Sequence, residues 1–225
     1  LARPQSFNSR KEESKEGIDI VMAVDVSGSM QAMDLKPNRL EAVKEVAQEF
    51  IDSRPNDRVG LVLFAGESFT QCPLTTDHRV VKELFKSLEI GVIQDGRTAL
   101  GEGLATAVNR IKDSDAISKV IIFLTDGVQT AGSIDAISAA EIAEFYGVRV
   151  YTIGAGTNGV AKIPGQDFFG REVITTMQVE IDEETLKEVA NLTDGKYFRA
   201  TDTQKLKDVY KEIDELETTK INVSV

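Results

Sequence analysis

Three oxygen-bearing side chains stand at alternate positions where an apolar segment ends, at Asp25, Ser27 and Ser29. In an extended chain, side chains two residues apart point the same way, so these three would face one point in space. A carboxylate and two hydroxyls form an oxygen-only ligand set that suits Mg²⁺ or Mn²⁺. The same residues are also typical of a strand that ends in a capped Ser/Gly turn, and this stretch alone leaves both interpretations open.

Asp126 and Thr98 add oxygen-bearing side chains from other parts of the chain. Asp126 follows the apolar run at residues 120–124, and an Asp-Gly pair there is also typical of an ordinary turn. Because parallel sheets bind ligands beyond the carboxyl ends of their strands, Asp25 and Asp126 would converge if their strands are neighbours. Two such carboxylates repel each other, and a divalent cation relieves that repulsion. Thr98 begins a helical pattern, where its hydroxyl either caps the helix or reaches the same cation.

Strand and helix patterns alternate along the chain. Apolar stripes at helical spacing lie between and after the predicted strands, and Asn38 resembles the cap of the first helix. This order predicts an α/β fold with a doubly wound, mostly parallel central sheet flanked by helices. Continuous apolar runs, typical of strands buried on both faces, occupy residues 18–24, 59–65, 120–124 and 148–153.

We predict one domain at residues 17–217, preceded by a linker or leader at 1–16 and followed by a C-terminal tail at 218–225. Residues 154–180 break the strand and helix rhythm, carry several glycines, and are predicted to form an inserted hairpin or a long surface loop. Because the chain begins at Leu1 and not at a methionine, we expect it to be a piece of a longer protein.

Composition excludes several function classes. The formal net charge is -11 and no basic patch is visible, so nucleic-acid binding is not expected. Cys72 is the only cysteine, which rules out an internal disulfide. No run of about 18 apolar residues occurs, so we expect any link to a membrane to lie in segments outside this chain.

The oxygen-bearing residues share their order and spacing with a known binding site. The motif Asp25-Val-Ser27-Gly-Ser29, Thr98 in its loop, and Thr125-Asp126-Gly127 together resemble the metal-ion-dependent adhesion site of von Willebrand factor type A domains. The resemblance covers about residues 17–217. Segments at 37–40, 54–58, 69–77 and 196–200 are further similar to one bacterial branch of that family, the Bat aerotolerance proteins.

The resemblance implies a docking module rather than an enzyme. The family's metal ligands correspond to five residues, which would surround one Mg²⁺ or Mn²⁺, some of them through water. A partner protein would supply a Glu or Asp to the open coordination position. In the Bat branch, the full-length protein is anchored in the cell membrane, serves aerotolerance or stress resistance, and is associated with a MoxR-type AAA+ ATPase or other Bat-type proteins. The five predicted ligands are Asp25, Ser27, Ser29, Thr98 and Asp126.

Residues next to the ligands, and an aromatic pair in the inserted segment, are the predicted partner contacts. They are Met30, Arg97, Gly127, Phe168 and Phe169. Arg97 departs from the expected pattern, because its cation either weakens metal binding or forms a salt bridge with Asp95. Phe168 and Phe169 either anchor a partner or pack back on the domain, and packing is favoured.

The alternative from another class is a metal-dependent, phosphate-handling hydrolase that uses Asp25. Haloacid-dehalogenase phosphotransferases also place an aspartate after the first strand, but their chemistry needs a second acid two residues later. Ser27 stands at that position, so the general acid is missing.

Overall fold

The computed structural model describes residues 17–166 and 168–224, and the predicted leader at 1–16 lies outside them. A six-stranded central sheet has the order β3-β2-β1-β4-β5-β8. All neighbouring pairs are parallel except β2 and β3, which are antiparallel. This confirms the predicted doubly wound α/β fold. The strands are β1 (Asp19–Asp25), β2 (Arg58–Phe64), β3 (Ser68–Thr75), β4 (Lys119–Thr125), β5 (Arg149–Ala155), β6 (Gly159–Gln166), β7 (Glu172–Val179) and β8 (Tyr197–Ala200).

Helices cover both faces of the central sheet. Side chains alternate along β1, so Met22 faces the layer that contains α1 and α6, while Ala23 faces the layer that contains α3, α4 and α5. Strands buried on both faces need apolar side chains at every position, which explains the unbroken apolar runs in the sequence. The helices are α1 (Arg39–Asp52), α2 (His78–Lys86), α3 (Leu100–Ile111), α4 (Ala136–Phe145), α5 (Glu183–Leu192) and α6 (Thr203–Ser224).

Helix caps follow the sequence signals closely. Asn38 accepts a hydrogen bond from the Glu41 amide at 2.9 Å and begins α1. Asp77 and Asp182 cap α2 and α5 in the same manner. The last helix continues through Ser224, so the stretch at 218–224 that we expected as a tail is helical. No helix in the described part of the chain has the length and apolar composition needed to cross a membrane.

Strands β6 and β7 form a separate antiparallel hairpin within the stretch expected as an insertion. The hairpin rests on the loop that follows β1. Ala161 and Val179 pack there against Ala32, and the Met33 amide donates to the Lys162 carbonyl at 2.9 Å. The loop after β1 is therefore held from both sides, by the central sheet and by the hairpin.

Two strands of the central sheet carry no clear sequence signal. Strand β3 is the antiparallel edge strand; most of it is half exposed, it contains Pro73, and its register with β2 is irregular. Strand β8, at the other edge, has only four residues. Neither shows the long apolar run that identifies the inner strands.

Candidate metal and docking site

Asp25 is the last residue of β1 and is completely buried. Strand β1 lies between β2 and β4, so the Asp25 carboxylate sits at the centre of the carboxyl edge of the sheet. One carboxylate oxygen, Oδ1, accepts a hydrogen bond from the Ser27 amide at 2.8 Å. The other, Oδ2, accepts from the Thr125 hydroxyl at 2.7 Å. Two hydrogen bonds, one from the loop after β1 and one from the end of β4, thus fix this carboxylate in place.

The hydroxyls of Ser27 and Ser29 connect this carboxylate to Asp126. Their two Oγ atoms are 3.0 Å apart, although Gly28–Gln31 forms a short 3₁₀ helix with Ser27 as its cap, and not the extended segment that the sequence suggested. The Ser29 hydroxyl donates to Oδ1 of Asp126 at 2.7 Å. Because Val24 pairs with Leu124 across β1 and β4, Asp25 and Asp126 end neighbouring strands at the same edge. The structure therefore brings together the two acids and two of the predicted hydroxyls.

Thr98 reaches this edge from the loop before α3. The helix begins at Leu100 and its N-cap residue is Ala99, while the Gly101 amide in its first turn donates to Oε1 of Gln129 at 3.4 Å. Thr98 therefore does not have the capping role that the sequence left open. The Thr98 hydroxyl lies beside Gly127: a Cβ atom at Gly127 would be 3.4 Å from Oγ1. The Gly28 amide also donates to the Gly96 carbonyl at 3.2 Å, which joins this loop to the loop after β1.

Burial is the largest influence on the pKa of both acids. Burial first, and the nearby Asp126 charge second, raise the pKa of Asp25 to about 7, although hydrogen bonds from Thr125 and Ser27 oppose the rise. Burial also raises the pKa of Asp126, against the effect of the Arg39 guanidinium and the Ser29 hydroxyl. Within the described residues, no cationic side chain contacts Asp25.

Arg39 is the residue that the sequence reading missed. Its guanidinium is fully buried, and Nη1 donates to Oδ2 of Asp126 at 2.6 Å. Nε and Nη2 bind Asp34 at 2.8 and 2.6 Å. The segment at 37–40 was singled out only as part of a resemblance, and an arginine at the first position of a helix carries no local signal of burial.

Both the sequence and the fold of this chain match those of known proteins. The profile of the von Willebrand factor type A domain matches residues 20–129. The solved structure of a protein called BatB from Bacteroides thetaiotaomicron has a TM-score of 0.76 at 30% sequence identity, covering 90% of this chain and 100% of that one. The chain belongs to the von Willebrand factor type A domain family.

Two further relatives agree with this membership. An aerotolerance-related membrane protein from Bacteroides fragilis, solved with multiple mutations to serine, has a TM-score of 0.74 at 30% identity and covers 88% of this chain and 98% of its own. A UPF0353 protein from Nocardia farcinica is 32% identical over 213 residues, which are 87% of this chain and 62% of the relative. This von Willebrand factor A domain spans less than two thirds of the length of the curated relatives that it matches.

The predicted partner contacts of this von Willebrand factor A domain differ in accessibility. Met30 is fully buried in the core, and Gly127 is buried as well, so neither offers surface to a partner. Arg97 is exposed and binds Asp95, with Nη2 and Oδ2 at 2.7 Å. The guanidinium is thus engaged by an acid of its own loop, which is one of the two outcomes that the sequence allowed.

Phe168 and Phe169 lie at the tip of the β6–β7 hairpin and are 98% and 78% exposed. Their rings meet edge to face with centroids 5.6 Å apart. The packing of these rings against the domain, which we favoured, is therefore wrong, since both remain on the surface. Between the hairpin and Gln31 lies an open groove of about 700 Å³, lined partly by Pro164 and Ile174.

The residues of the site fit a hard divalent cation. The donor set consists of two carboxylates and three hydroxyls, all oxygen, and one buried carboxylate has no counter-cation. The described residues contain no group of three or more His, Cys, Asp and Glu side chains placed to hold a metal ion. A cation bound here would therefore have to use the hydroxyls of Ser27, Ser29 and Thr98 in addition to the two carboxylates.

Proposed function

We propose that this domain binds Mg²⁺ or Mn²⁺ through Asp25, Ser27, Ser29, Thr98 and Asp126, and that it docks a carboxylate of a partner protein there. The observation that carries the proposal is Asp25. It is a buried carboxylate held by neutral donors only, at the edge of the sheet to which the other four proposed ligands also belong. A buried ionised group without a counter-charge is costly, and a cation would remove that cost.

Docking is favoured over catalysis by what surrounds Asp25. Both of its oxygens already accept hydrogen bonds, and the position of a general acid is occupied by Ser27, whose hydroxyl contacts Ser29. When bound, the cation would supply positive charge and a coordination position for an incoming Glu or Asp side chain. The protein's own residues hold the ligand oxygens in place before the partner arrives.

We further propose that the full-length protein is a membrane-anchored, aerotolerance- or stress-related protein. Support comes from the structural relative in Bacteroides fragilis, which is an aerotolerance-related membrane protein. A MoxR-type AAA+ ATPase or another Bat-type protein is the partner class to test first. Exposed Arg97, Phe168 and Phe169 are the side chains with which such a partner would make contact outside the metal.

Thermal unfolding with and without metal tests the site directly. Metal at a hundredfold excess over its dissociation constant adds about 2.7 kcal/mol of stability. For a domain of this size, that corresponds to a rise in Tm of roughly 5–10 °C. Asp25→Ala should abolish the rise, whereas Asp113→Ala, at an exposed acid away from the site, should retain it. No rise with either Mg²⁺ or Mn²⁺ would refute the metal site.

A phosphatase assay separates docking from hydrolysis. With p-nitrophenyl phosphate and saturating Mg²⁺, we expect no turnover above that of buffer. Metal-dependent turnover that disappears in Asp25→Asn would instead establish the hydrolase alternative. Capture of a purified MoxR-type ATPase should require the metal and should be lost with EDTA.

A further inference from the structure

Arg39 is a buried cation in direct contact with a proposed metal ligand. Its side chain has no exposed surface, and four of its five N–H donors are directed at protein acceptors. These acceptors are Asp126 on one side and Asp34 and the Thr157 carbonyl on the other. A permanent positive charge thus sits beside the place where a second positive charge would bind.

The guanidinium is enclosed on one side by the backbone of Gly156 and on the other by the hydrogen-bonded Asp34. Gly156 has a φ of +118°, and a Cβ atom there would lie 2.4 Å from Cζ of Arg39, so the backbone packs flat against the guanidinium. On the same side, the Thr157 amide and hydroxyl bind Asp34 at 2.7 and 3.0 Å. Because both walls are backbone or tightly bonded side chains, the charge of Arg39 remains in place when Asp126 meets a cation.

Without a metal, the ionised groups around the site leave an excess of negative charge that Arg39 offsets only in part. Asp25, Asp126 and Asp34 contribute three negative charges, and Arg39 contributes one positive charge. Arg39 shares its charge between Asp34 and Asp126, and it already occupies Oδ2 of Asp126. A bound cation would therefore meet one carboxylate without a cationic partner, Asp25, and one that Arg39 partly neutralises, Asp126.

We propose that Arg39 is an internal counter-cation that weakens metal binding at this site and so keeps the cation exchangeable, and that Asp34 limits this effect by drawing off part of its charge. This inference rests on the proposed metal site. It assigns to the two residues opposite effects on metal affinity: loss of Arg39 tightens binding, and loss of the Asp34 charge loosens it. A purely structural role would loosen binding in both cases.

Isothermal titration calorimetry of Mg²⁺ and Mn²⁺ into the intact chain tests the assignment. In Arg39→Met, removal of a nearby unit charge should lower the metal Kd by about tenfold or more. In Asp34→Asn, which keeps Arg39 but leaves its charge to Asp126 alone, the Kd should rise by about threefold or more. Arg39→Lys retains the charge but loses the forked hydrogen bonds to Asp34. Because the inference assigns the effect to the charge, its Kd should stay within about threefold of that of the wild type.

The outcomes distinguish this inference from the proposed function. Wild-type protein that takes up neither metal overturns both. Wild-type binding with an unchanged or higher Kd in Arg39→Met overturns the role of Arg39 alone. Should Arg39→Met fail to fold, Asp34→Asn and Arg39→Lys decide together, since the Asp34 side chain is 11% exposed and easier to replace. A raised Kd in Asp34→Asn with a Kd near that of the wild type in Arg39→Lys supports the inference. A Kd in Asp34→Asn equal to or lower than that of the wild type, or a raised Kd in both variants, refutes it.

Discussion

Buried acids lie at both the amino and the carboxyl ends of the strands of the central sheet, but different groups compensate their charges. At the amino edge, Asp19 receives two hydrogen bonds from the Arg58 guanidinium at 2.7 and 2.5 Å. Glu217 of α6 is bound by Arg149 at 2.6 Å, by the Tyr151 hydroxyl and by Ser118. At the carboxyl edge, Asp25 is equally buried and has only neutral donors.

This difference separates structural acids from the acid that we propose binds a metal ion. A buried charge that is paired and hydrogen-bonded holds elements together, since its partner cannot be lost without a large cost. A buried charge without a cation lowers the stability of the fold, and such residues are typical of functional sites. Asp126 is intermediate, because Arg39 neutralises it only in part.

The largest change in stability is expected at the amino edge, when the cation that pairs with Glu217 is removed. Arg149→Met leaves Glu217 buried without its cation, and we expect a loss of about 3 kcal/mol in the free energy of unfolding. Urea denaturation measures it. The double variant Arg149→Met/Glu217→Gln should regain much of the loss, because the charge is removed with its partner. Equal stability of the single variant and the wild type would show that Glu217 does not depend on Arg149.

Replacing aspartate by asparagine should change the free energy of unfolding in opposite directions at the two edges. In metal-free protein at pH 8, Asp25→Asn removes an uncompensated charge and should raise the free energy of unfolding by about 1–3 kcal/mol. Asp19→Asn removes the partner of Arg58 and should lower it by a similar amount. Denaturation in EDTA provides both values. Destabilisation by both variants would contradict the distinction between the edges.

The pH dependence of metal-free stability follows from Asp25. Its pKa in the folded state, about 7, lies above its ordinary value, so the folded protein binds this proton more tightly than the unfolded chain. The corresponding stability is complete below about pH 4 and is lost as pH rises through 7.

Saturating Mg²⁺ should reverse this trend, because the cation binds the deprotonated carboxylate. The rise in Tm caused by Mg²⁺ should therefore be larger at pH 8 than at pH 5.5. Thermal scans at the two values measure this, with Asp25→Asn as the variant that lacks the dependence. A metal-induced rise of equal size at both pH values would count against Asp25 as the ligand that titrates.

The smallest effect is expected at Arg97. Its side chain is 65% exposed and is bound to Asp95, so solvent screens its charge from the site. Arg97→Ala should change the Mg²⁺ Kd by less than about twofold. A change as large as that expected for Arg39 would show that surface and buried cations act alike here.

Local sequence patterns predicted the parts of the molecule that depend on local physics. The inner strands are apolar because both faces are covered, and Asn38 caps α1 because its side chain meets the Glu41 amide. The convergence of Asp25 and Asp126 could be expected because parallel strands end at a common edge. The shared Asp-x-Ser-x-Ser spacing then indicated the hydroxyls.

What escaped prediction depends on contacts between distant segments. The burial of Arg39 is decided by Asp126 and Gly156, which lie far away in the chain. The Thr125 hydroxyl, which orients Asp25, was part of a quoted motif but had no predicted role. The accessible state of Phe168 and Phe169 could not be predicted, because an aromatic pair has the same sequence whether its hairpin folds back or projects.

The hydrogen bond from Thr125 to Asp25 joins residues that are 100 positions apart in the chain. A site assembled over such a separation forms only after β1 and β4 have paired. Because closing so long a loop costs much conformational entropy, we expect this pairing to come late in folding. A bound cation should consequently slow unfolding and leave the refolding rate nearly unchanged. The metal would then stabilise the domain kinetically: it would lengthen the lifetime of the folded state without accelerating folding.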